Sequence, residues 1–167
     1  MTVNIRDAEL ADLPAVLEQI REFAEHEGLR QHVALTAESL AACCLGEPRR
    51  FHVLVAADGA SVVGYAIFLF LFSPWLAREY LLLDDLYVTQ PHRGKGIGRL
   101  MMRRVAEVAI EHDVDARWHV ETANRSAQKF YSALGAELRD RFIAYWTRDA
   151  MRALLSAAPP ATPPTAR

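Results

Sequence analysis

Apolar and polar residues recur along the chain with two different periods, which predict a mixed order of strands and helices. Alternating or continuous apolar runs rich in Val, Ile, Phe and Tyr predict strands over 3–6, 51–57, 61–72, 80–88, 118–122 and 141–147. Apolar residues spaced three or four apart predict helices over 12–28, 38–45, 96–112, 126–134 and 149–156. This order predicts a mixed α/β fold, in which a meander of strands precedes a βαβ crossover.

Turn and cap residues support these boundaries. Pro14 falls in the first turn of the first helix, and Gly28 is a typical left-handed stop after it. Thr36 and Asn124 are expected N-caps of later helices. Asp58-Gly59 lies between two apolar runs and predicts a tight hairpin turn.

Composition fits one folded domain. The 167 residues are 51% hydrophobic and 24% charged, with a formal net charge of −2, so the chain can bury a sizeable core. After Ala157 only Ala, Pro, Thr and a final Arg remain, which predicts a domain over 1–157 and a disordered tail over 158–167.

Cysteine usage and the distribution of apolar residues bear on location. The adjacent Cys43 and Cys44 are poorly placed for a disulfide on a helix, which favours a reducing, cytoplasmic compartment. The apolar run over 62–71 is about half the length of a membrane-spanning helix. The charged residues near the N-terminus do not fit a secretory signal, and no membrane association is expected.

Negative charge is concentrated near the N-terminus. Nine acidic residues against only Arg21 and Arg30 give the stretch 7–47 a balance of −7. This charge is either a solvated helix face or a surface that attracts a cationic substrate. Because there is no basic stripe, nucleic acid is not an expected partner.

A glycine-rich loop over 93–99 follows a predicted strand and opens a predicted helix. Gly94, Gly96 and Gly98 let the backbone approach a ligand, and unpaired N–H groups at the helix start favour a phosphate. The loop lacks the Lys-Ser/Thr of a Walker sequence and the final glycine of the dinucleotide fingerprint. A tight turn without a ligand is the other interpretation.

The Arg-x-x-Gly-x-Gly sequence that begins at Arg93 resembles the coenzyme A loop of the GNAT N-acetyltransferases. Further motifs resemble the branch of diamine (spermidine/spermine) and thialysine acetyltransferases. These are His26-Glu27, Val33-x-Leu35-Thr36, Ser73-Pro74-Trp75, 83–88 (Leu-Asp-Asp-Leu-Tyr-Val) and Phe130-Tyr131 followed by Gly135-Ala136. The resemblance extends from Val3 to about Leu155. It implies one domain with a splayed, mostly antiparallel sheet of about six to seven strands flanked by helices.

The resemblance also implies acetyl-CoA as cosubstrate, with no metal, and assigns residues to it. The pantetheine arm pairs with the backbone of the strand over 83–88, with the Leu86 N–H as the candidate oxyanion donor. Tyr131 is the implied general acid that protonates the departing thiolate. The implied coenzyme-binding residues are Leu86, Tyr87, Val88, Arg93, Gly94, Lys95, Gly96, Ile97, Gly98, Arg99, Asn124, Ser126 and Ala127.

Asp84 and Asp85 are the candidates for handling the amine. Neighbouring residues of a regular strand face opposite sides, so both could face one site only if the strand carried a bulge. The resemblance places Asp84 at a substrate-binding position, where it would bind the cation or act as a general base through water. Alternatively, these carboxylates pair with an arginine such as Arg78 or Arg117. Tyr131, in turn, could simply be a packed aromatic residue.

Other candidate substrate residues are weaker. The resemblance implies substrate contacts for His26, Glu27 and, less clearly, His119 and Asp140. Separated carboxylates suit a polyamine, whereas Arg139 and Arg141 would suit a substrate with its own carboxylate. No pair of histidines has zinc-ligand spacing.

Three functions remain open at this point. The first is acetyl transfer from acetyl-CoA to a small cationic amine. The second is transfer to an amino acid, an aminoglycoside or a protein amine, and the third is an acyl-CoA sensor without turnover. The resemblance also implies a homodimer, with an interface around 142–155. The apolar residues there could equally belong to the core of one chain, namely Tyr145, Trp146, Met151 and Leu154.

Overall fold

The computed structural model describes residues 3–156, which form five strands and five α-helices. The strands are β1 (Val3–Asp7), β2 (His52–Asp58), β3 (Ser61–Ser73), β4 (Arg78–Val88) and β5 (Ala116–Trp118). The α-helices are α1 (Leu13–His26), α2 (Ala37–Cys44), α3 (Ile97–Glu111), α4 (Arg125–Ser132) and α5 (Arg148–Ser156). This order confirms the predicted mixed α/β class.

The strands form one sheet in the order β1-β2-β3-β4-β5. Neighbours from β1 to β4 are antiparallel, and β4 pairs with β5 in parallel after the crossover through α3. The mostly antiparallel sheet is therefore confirmed. The expected count of about six to seven strands is wrong for the described residues, which contribute five.

The sheet buries both of its faces. On one face α1 and α2 pack on a cluster that contains Val53, Val55, Tyr65 and Ile67. Because successive strand residues face opposite sides, residues such as Phe68 lie on the other face. That face is covered by α3, whose buried residues are Ile97, Met101, Met102, Val105, Val108 and Ala109.

Local signals in the sequence account for most of the element boundaries. The Thr36 side chain accepts a hydrogen bond from the Ser39 N–H at 3.2 Å, which caps α2. The Asn124 side chain accepts one from the Ala127 N–H at 3.0 Å, at the start of α4. Gly59, in the β2–β3 turn, has φ +62°, a conformation that glycine adopts without strain.

Two predicted strands differ from the structure. The strand expected over 118–122 is instead Ala116–Trp118, because its pairing with β4 ends at Leu83–Trp118, next to an irregularity in β4. The strand expected over 141–147 is absent from the described residues. Alternation alone does not make a strand, since a strand also needs a hydrogen-bonded partner.

The chain divides into two compact units, Met1–Ala127 and Gln128–Arg167. The first contains the whole sheet, and the described part of the second contains most of α4 and all of α5. The expected tail over 158–167 lies outside the described residues, and the single domain over 1–157 stays a prediction. None of the described helices is long and apolar enough to cross a membrane.

Candidate functional site

A β-bulge in β4 places the two neighbouring aspartates together. Ile67 on β3 pairs with Asp85, whereas the next residue, Phe68, pairs with Leu83, so Asp84 is the extra residue of the bulge. A bulge breaks the strict alternation of side chains between the two faces of a sheet. Both carboxylates can therefore face one site, because the strand carries the bulge that this arrangement requires.

Both carboxylates line a cavity of about 290 Å³ on the face of the sheet that carries α1. The rest of its wall is apolar and comes from α1, from the segments that precede α2 and β2, and from β3. These lining residues are Ile20, Leu35, Phe51, Ile67 and Leu69. Such a cavity suits a ligand with an aliphatic body and a cationic end, because the two aspartates are the only described lining residues with polar side chains.

The two aspartates differ in their surroundings. Asp84 is exposed, whereas Asp85 is partly buried and accepts a long hydrogen bond of 3.4 Å from the hydroxyl of the fully buried Tyr65. Burial and the neighbouring Asp84 charge raise the pKa of Asp85 to about 6, and the Tyr65 hydrogen bond opposes this change. Asp85 therefore changes charge close to neutral pH.

The arginines considered as partners of these aspartates are engaged elsewhere. Arg78 forms an ion pair with Asp115 at 3.0 Å. The guanidinium carbon of Arg117 lies 4.3 Å from the ring centre of Tyr80. Pairing of Asp84 or Asp85 with either arginine is not seen in the described structure, so both carboxylates keep their capacity to hold a cation.

Beyond the bulge, none of the described strands pairs with the second edge of β4, which is called the open edge below. β5 pairs only with Leu81, Leu82 and Leu83. The Thr89 N–H donates to the Val63 carbonyl on β3 at 3.0 Å. Because backbone groups alternate along a strand, the N–H and C=O of Leu86 and Val88 point away from β3, towards this open edge. An extended ligand chain could pair there as an added strand.

Two of the expected coenzyme residues next to this edge are held by other contacts. The Arg93 Nε donates to the Val88 carbonyl at 2.8 Å, and its guanidinium carbon lies 5.3 Å from the ring centre of Tyr87. The Tyr87 hydroxyl donates to Glu22 at 3.2 Å. The Tyr87 side chain is therefore part of the core, and its backbone N–H and C=O, which alternate with those of Leu86 and Val88, point towards β3.

The glycine loop has the geometry of an anion cradle. Gly94 has φ +74° and Gly96, the N-cap of the 15-residue α3, has φ +82°. A Cβ added at either glycine would meet no atom within 4 Å, so space is open where a phosphate would approach the backbone. Ile97 is buried and offers only its backbone, whereas Lys95 and Arg99 are exposed and supply positive charge.

The remaining expected residues are not brought together by the described contacts. His26, Glu27 and His119 are exposed and are not among the residues that line the cavity. Asp140 is exposed, and Arg139 pairs with Glu137 at 2.8 Å. In α4, Ser126 is exposed, Ala127 is half-buried, and burial raises the pKa of Tyr131.

Two features of the site have no motif in the sequence. The Tyr65 hydroxyl lies 20 residues from Asp85 along the chain, and only the register of β3 and β4 brings the pair together. The apolar wall is drawn from four separate segments. Among residues 3–156, no group of three or more His, Cys, Asp or Glu side chains is placed to hold a metal ion.

Comparisons with known proteins agree on one family. The model of the acetyltransferase (GNAT) family matches residues 13–136. The thialysine N-epsilon-acetyltransferase of Sus scrofa is 38% identical over 144 residues, which cover 81% of this chain and 84% of that protein. The human spermidine/spermine N(1)-acetyltransferase-like protein 1 is 32% identical over 141 residues, or 80% of this chain and 20% of that protein.

A solved structure shows the same fold. An integron cassette protein from the mobile metagenome of V. cholerae superposes with a TM-score of 0.71 at 26% identity, covering 94% of this chain and 99% of that one.

Proposed function

Because the chain belongs to the GNAT family of acetyltransferases, and is thus an N-acetyltransferase, we propose that it acetylates a small cationic amine with acetyl-CoA. The observation that carries this proposal is the cavity at the β4 bulge, whose lining combines two carboxylates with five apolar side chains. That cavity and the open edge lie on the same strand, β4, and the glycine loop follows this strand in the chain, before α3.

The shape and charge of the cavity favour an amine on an aliphatic arm. Asp84 and Asp85 bind the ammonium group, and the apolar side chains pack along its carbon chain. Asp84 handles the amine directly or through water. The relatives are named for thialysine and for spermidine/spermine, whose amines are carried on aliphatic chains. His26, Glu27, His119 and Asp140 are proposed contacts for the outer part of such a substrate.

Acetyl-CoA supplies an activated acetyl thioester, and the loop and strand fit it. Gly94 and Gly96, beside open space, and Gly98, in the first turn of α3, offer backbone to the pyrophosphate, with Lys95 and Arg99 adding positive charge. The backbones of Leu86 and Val88 bind the pantetheine arm, and the Leu86 N–H stabilises the oxyanion. The other proposed contacts are Tyr87, Arg93, Ile97, Asn124, Ser126 and Ala127.

Tyr131 is the proposed general acid. Burial raises the pKa of its phenol, so the side chain keeps its proton at neutral pH and can give it to the thiolate. Tyr131→Phe removes this proton, and we expect kcat to fall by about 100-fold or more while coenzyme binding is kept. An unchanged kcat would leave Tyr131 a packing residue.

A homodimer is proposed for the assembled enzyme. The four apolar residues considered at the interface are all exposed in the described chain: Tyr145 at 89%, Trp146 at 58%, Met151 at 37% and Leu154 at 60%. Burying such residues against a second copy would remove apolar area from water. Light scattering of the purified protein tests this, and a monomeric mass would contradict it.

The experiment that tests the function is a panel of acceptors. The protein is incubated with acetyl-CoA and putrescine, spermidine, thialysine, lysine or an aminoglycoside, and free thiol and product mass are measured together. Acetylation of an amine on an aliphatic arm is the expected result. Coenzyme binding without product from any acceptor would contradict the proposal and favour acyl-CoA sensing.

A further inference from the structure

The bulge in β4 gives the two carboxylates of the cavity unequal surroundings. Asp84, the extra residue of the bulge, is exposed to solvent, whereas Asp85 is partly buried and accepts a hydrogen bond of 3.4 Å from the Tyr65 hydroxyl. The Tyr65 side chain is fully buried, so its hydroxyl contacts Asp85 from inside the core. Two neighbouring carboxylates in different environments can divide two tasks between them.

We propose that Asp85, and not Asp84, accepts the proton that the ammonium group of the acceptor loses before attack. Tyr65 is a positioning residue that holds the Asp85 carboxylate towards the cavity, and Asp84 holds the cation at its mouth. This inference rests on the proposed acetylation of an amine, and it assigns separate roles to the two aspartates of that site.

The groups that face Asp85 fit a proton acceptor. From β3 it meets the Tyr65 hydroxyl, and from β4 the Asp84 carboxylate. The ring centre of Tyr87 lies 5.9 Å from that of Tyr65, and the Tyr87 hydroxyl donates a hydrogen bond to Glu22 of α1. The other side chains that line the cavity are apolar, and none of the described lining residues is a cation.

This environment makes Asp85 a stronger base than an ordinary aspartate. Burial and the Asp84 charge raise its pKa to about 6. At pH 7 to 8 the carboxylate is still mostly ionised and ready to take a proton. Its pKa is also closer to the working pH, which is the condition that favours general base catalysis.

The proton and electron balance is complete without a further reactant. One proton of the R–NH3⁺ group moves to Asp85, and the freed electron pair forms the N–C bond to the acetyl carbonyl carbon. The C–S bond then breaks, and the thiolate takes a proton from the general acid. The second proton lost by the nitrogen restores that acid, and Asp85 releases its proton to solvent, so one H⁺ is formed per turnover.

The test is the pH dependence of kcat/KM for the amine, measured with the wild type, Asp85→Asn, Asp84→Asn and Tyr65→Phe. In the wild type the acidic limb should have its midpoint near pH 6, because kcat/KM reports groups of the free enzyme. Asp85→Asn should lower kcat by about 100-fold or more and remove this limb, with the coenzyme Kd unchanged.

The other two variants should move the midpoint in opposite directions. Asp84→Asn removes the charge that raises the pKa of Asp85, so the midpoint falls, and KM for the amine rises because a cation partner is lost. Tyr65→Phe removes the hydrogen bond that lowers this pKa, so the midpoint rises. A merely structural role for Tyr65 would change stability and leave the midpoint in place.

Several results would overturn the assignment. It is wrong if Asp84→Asn suffers the large loss of kcat while Asp85→Asn stays within about fivefold of the wild type, or if the acidic limb persists in Asp85→Asn. If Asp85→Asn fails to bind coenzyme A, the other two variants test the assignment: opposite shifts of the midpoint support Asp85 as the proton acceptor, and their absence refutes it. A wild type that acetylates no amine refutes the proposed function itself, a result distinct from all of these.

Discussion

The ionised carboxylate of Asp85 should lower the free energy of unfolding at neutral pH. Its pKa is raised from the ordinary 3.8 to about 6, mainly by burial. At 1.36 kcal/mol per pH unit, this difference corresponds to about 3 kcal/mol against the ionised form. Asp85→Asn removes the charge and keeps an oxygen that can accept from Tyr65. We expect it to raise the free energy of unfolding by up to about 3 kcal/mol at pH 7.5.

The sign of the pH dependence follows from proton binding. Between about pH 4 and 6 the folded protein keeps the Asp85 proton more often than the unfolded chain does. The contribution of Asp85 to the free energy of unfolding therefore falls as pH rises. The increase in the free energy of unfolding produced by Asp85→Asn should therefore be close to zero at pH 4, grow up to about pH 6 and level off above it. Taking the difference between variant and wild type cancels the other titrating groups.

Urea denaturation at pH 4.5, 5.5, 6.5 and 7.5, with linear extrapolation, measures this difference. Glu79→Gln is the matched control, because it removes an exposed carboxylate from the same strand. We expect it to change stability by less than about 0.5 kcal/mol at every pH. A less stable Asp85→Asn at pH 7.5, or a difference independent of pH, would refute the reasoning.

Two further predictions concern the glycine loop and a helix cap. Gly96→Ala should weaken coenzyme A binding, measured by calorimetry, because it strains a residue at φ +82° and places a methyl group in the cradle. Gly28→Ala is its control, since φ is +71° and space is equally open there, so it should cost a similar 1 kcal/mol or so of stability without affecting coenzyme A. Equal coenzyme affinities for the two variants would contradict the cradle. Thr36→Ala should lower the free energy of unfolding by about 1 kcal/mol, since it removes the cap of α2, and no loss in urea denaturation would show that the cap contributes nothing.

Sequence patterns predicted the local features of this fold well, because the physics that produces them is local. The Thr36 and Asn124 caps and the Asp58-Gly59 turn each depend on a few neighbouring residues. The helices over α1 and α3 follow from a long apolar stripe on one face. Such features form wherever those residues occur in that order.

Features that depend on pairing between distant segments were harder to predict. The segment over 141–147 alternates as a strand does, yet its residue Phe142 is fully exposed and has no ladder partner among the described residues. The sequence predicts the bulge at Asp84 only as a condition for both aspartates to face one site, since a register shift appears only when β3 lies beside β4. The partnership of Tyr65 with Asp85 depends on the same register and was not predicted.

The central claim is that the cavity at the β4 bulge receives the amine. A crystal structure of the protein with coenzyme A and thialysine or putrescine tests it most directly. We expect the amine nitrogen about 2.7–3.2 Å from a carboxylate oxygen of Asp85 or Asp84, with its carbon chain against the apolar wall. An amine bound elsewhere, with the cavity at Asp84 and Asp85 filled only by water, would contradict the account.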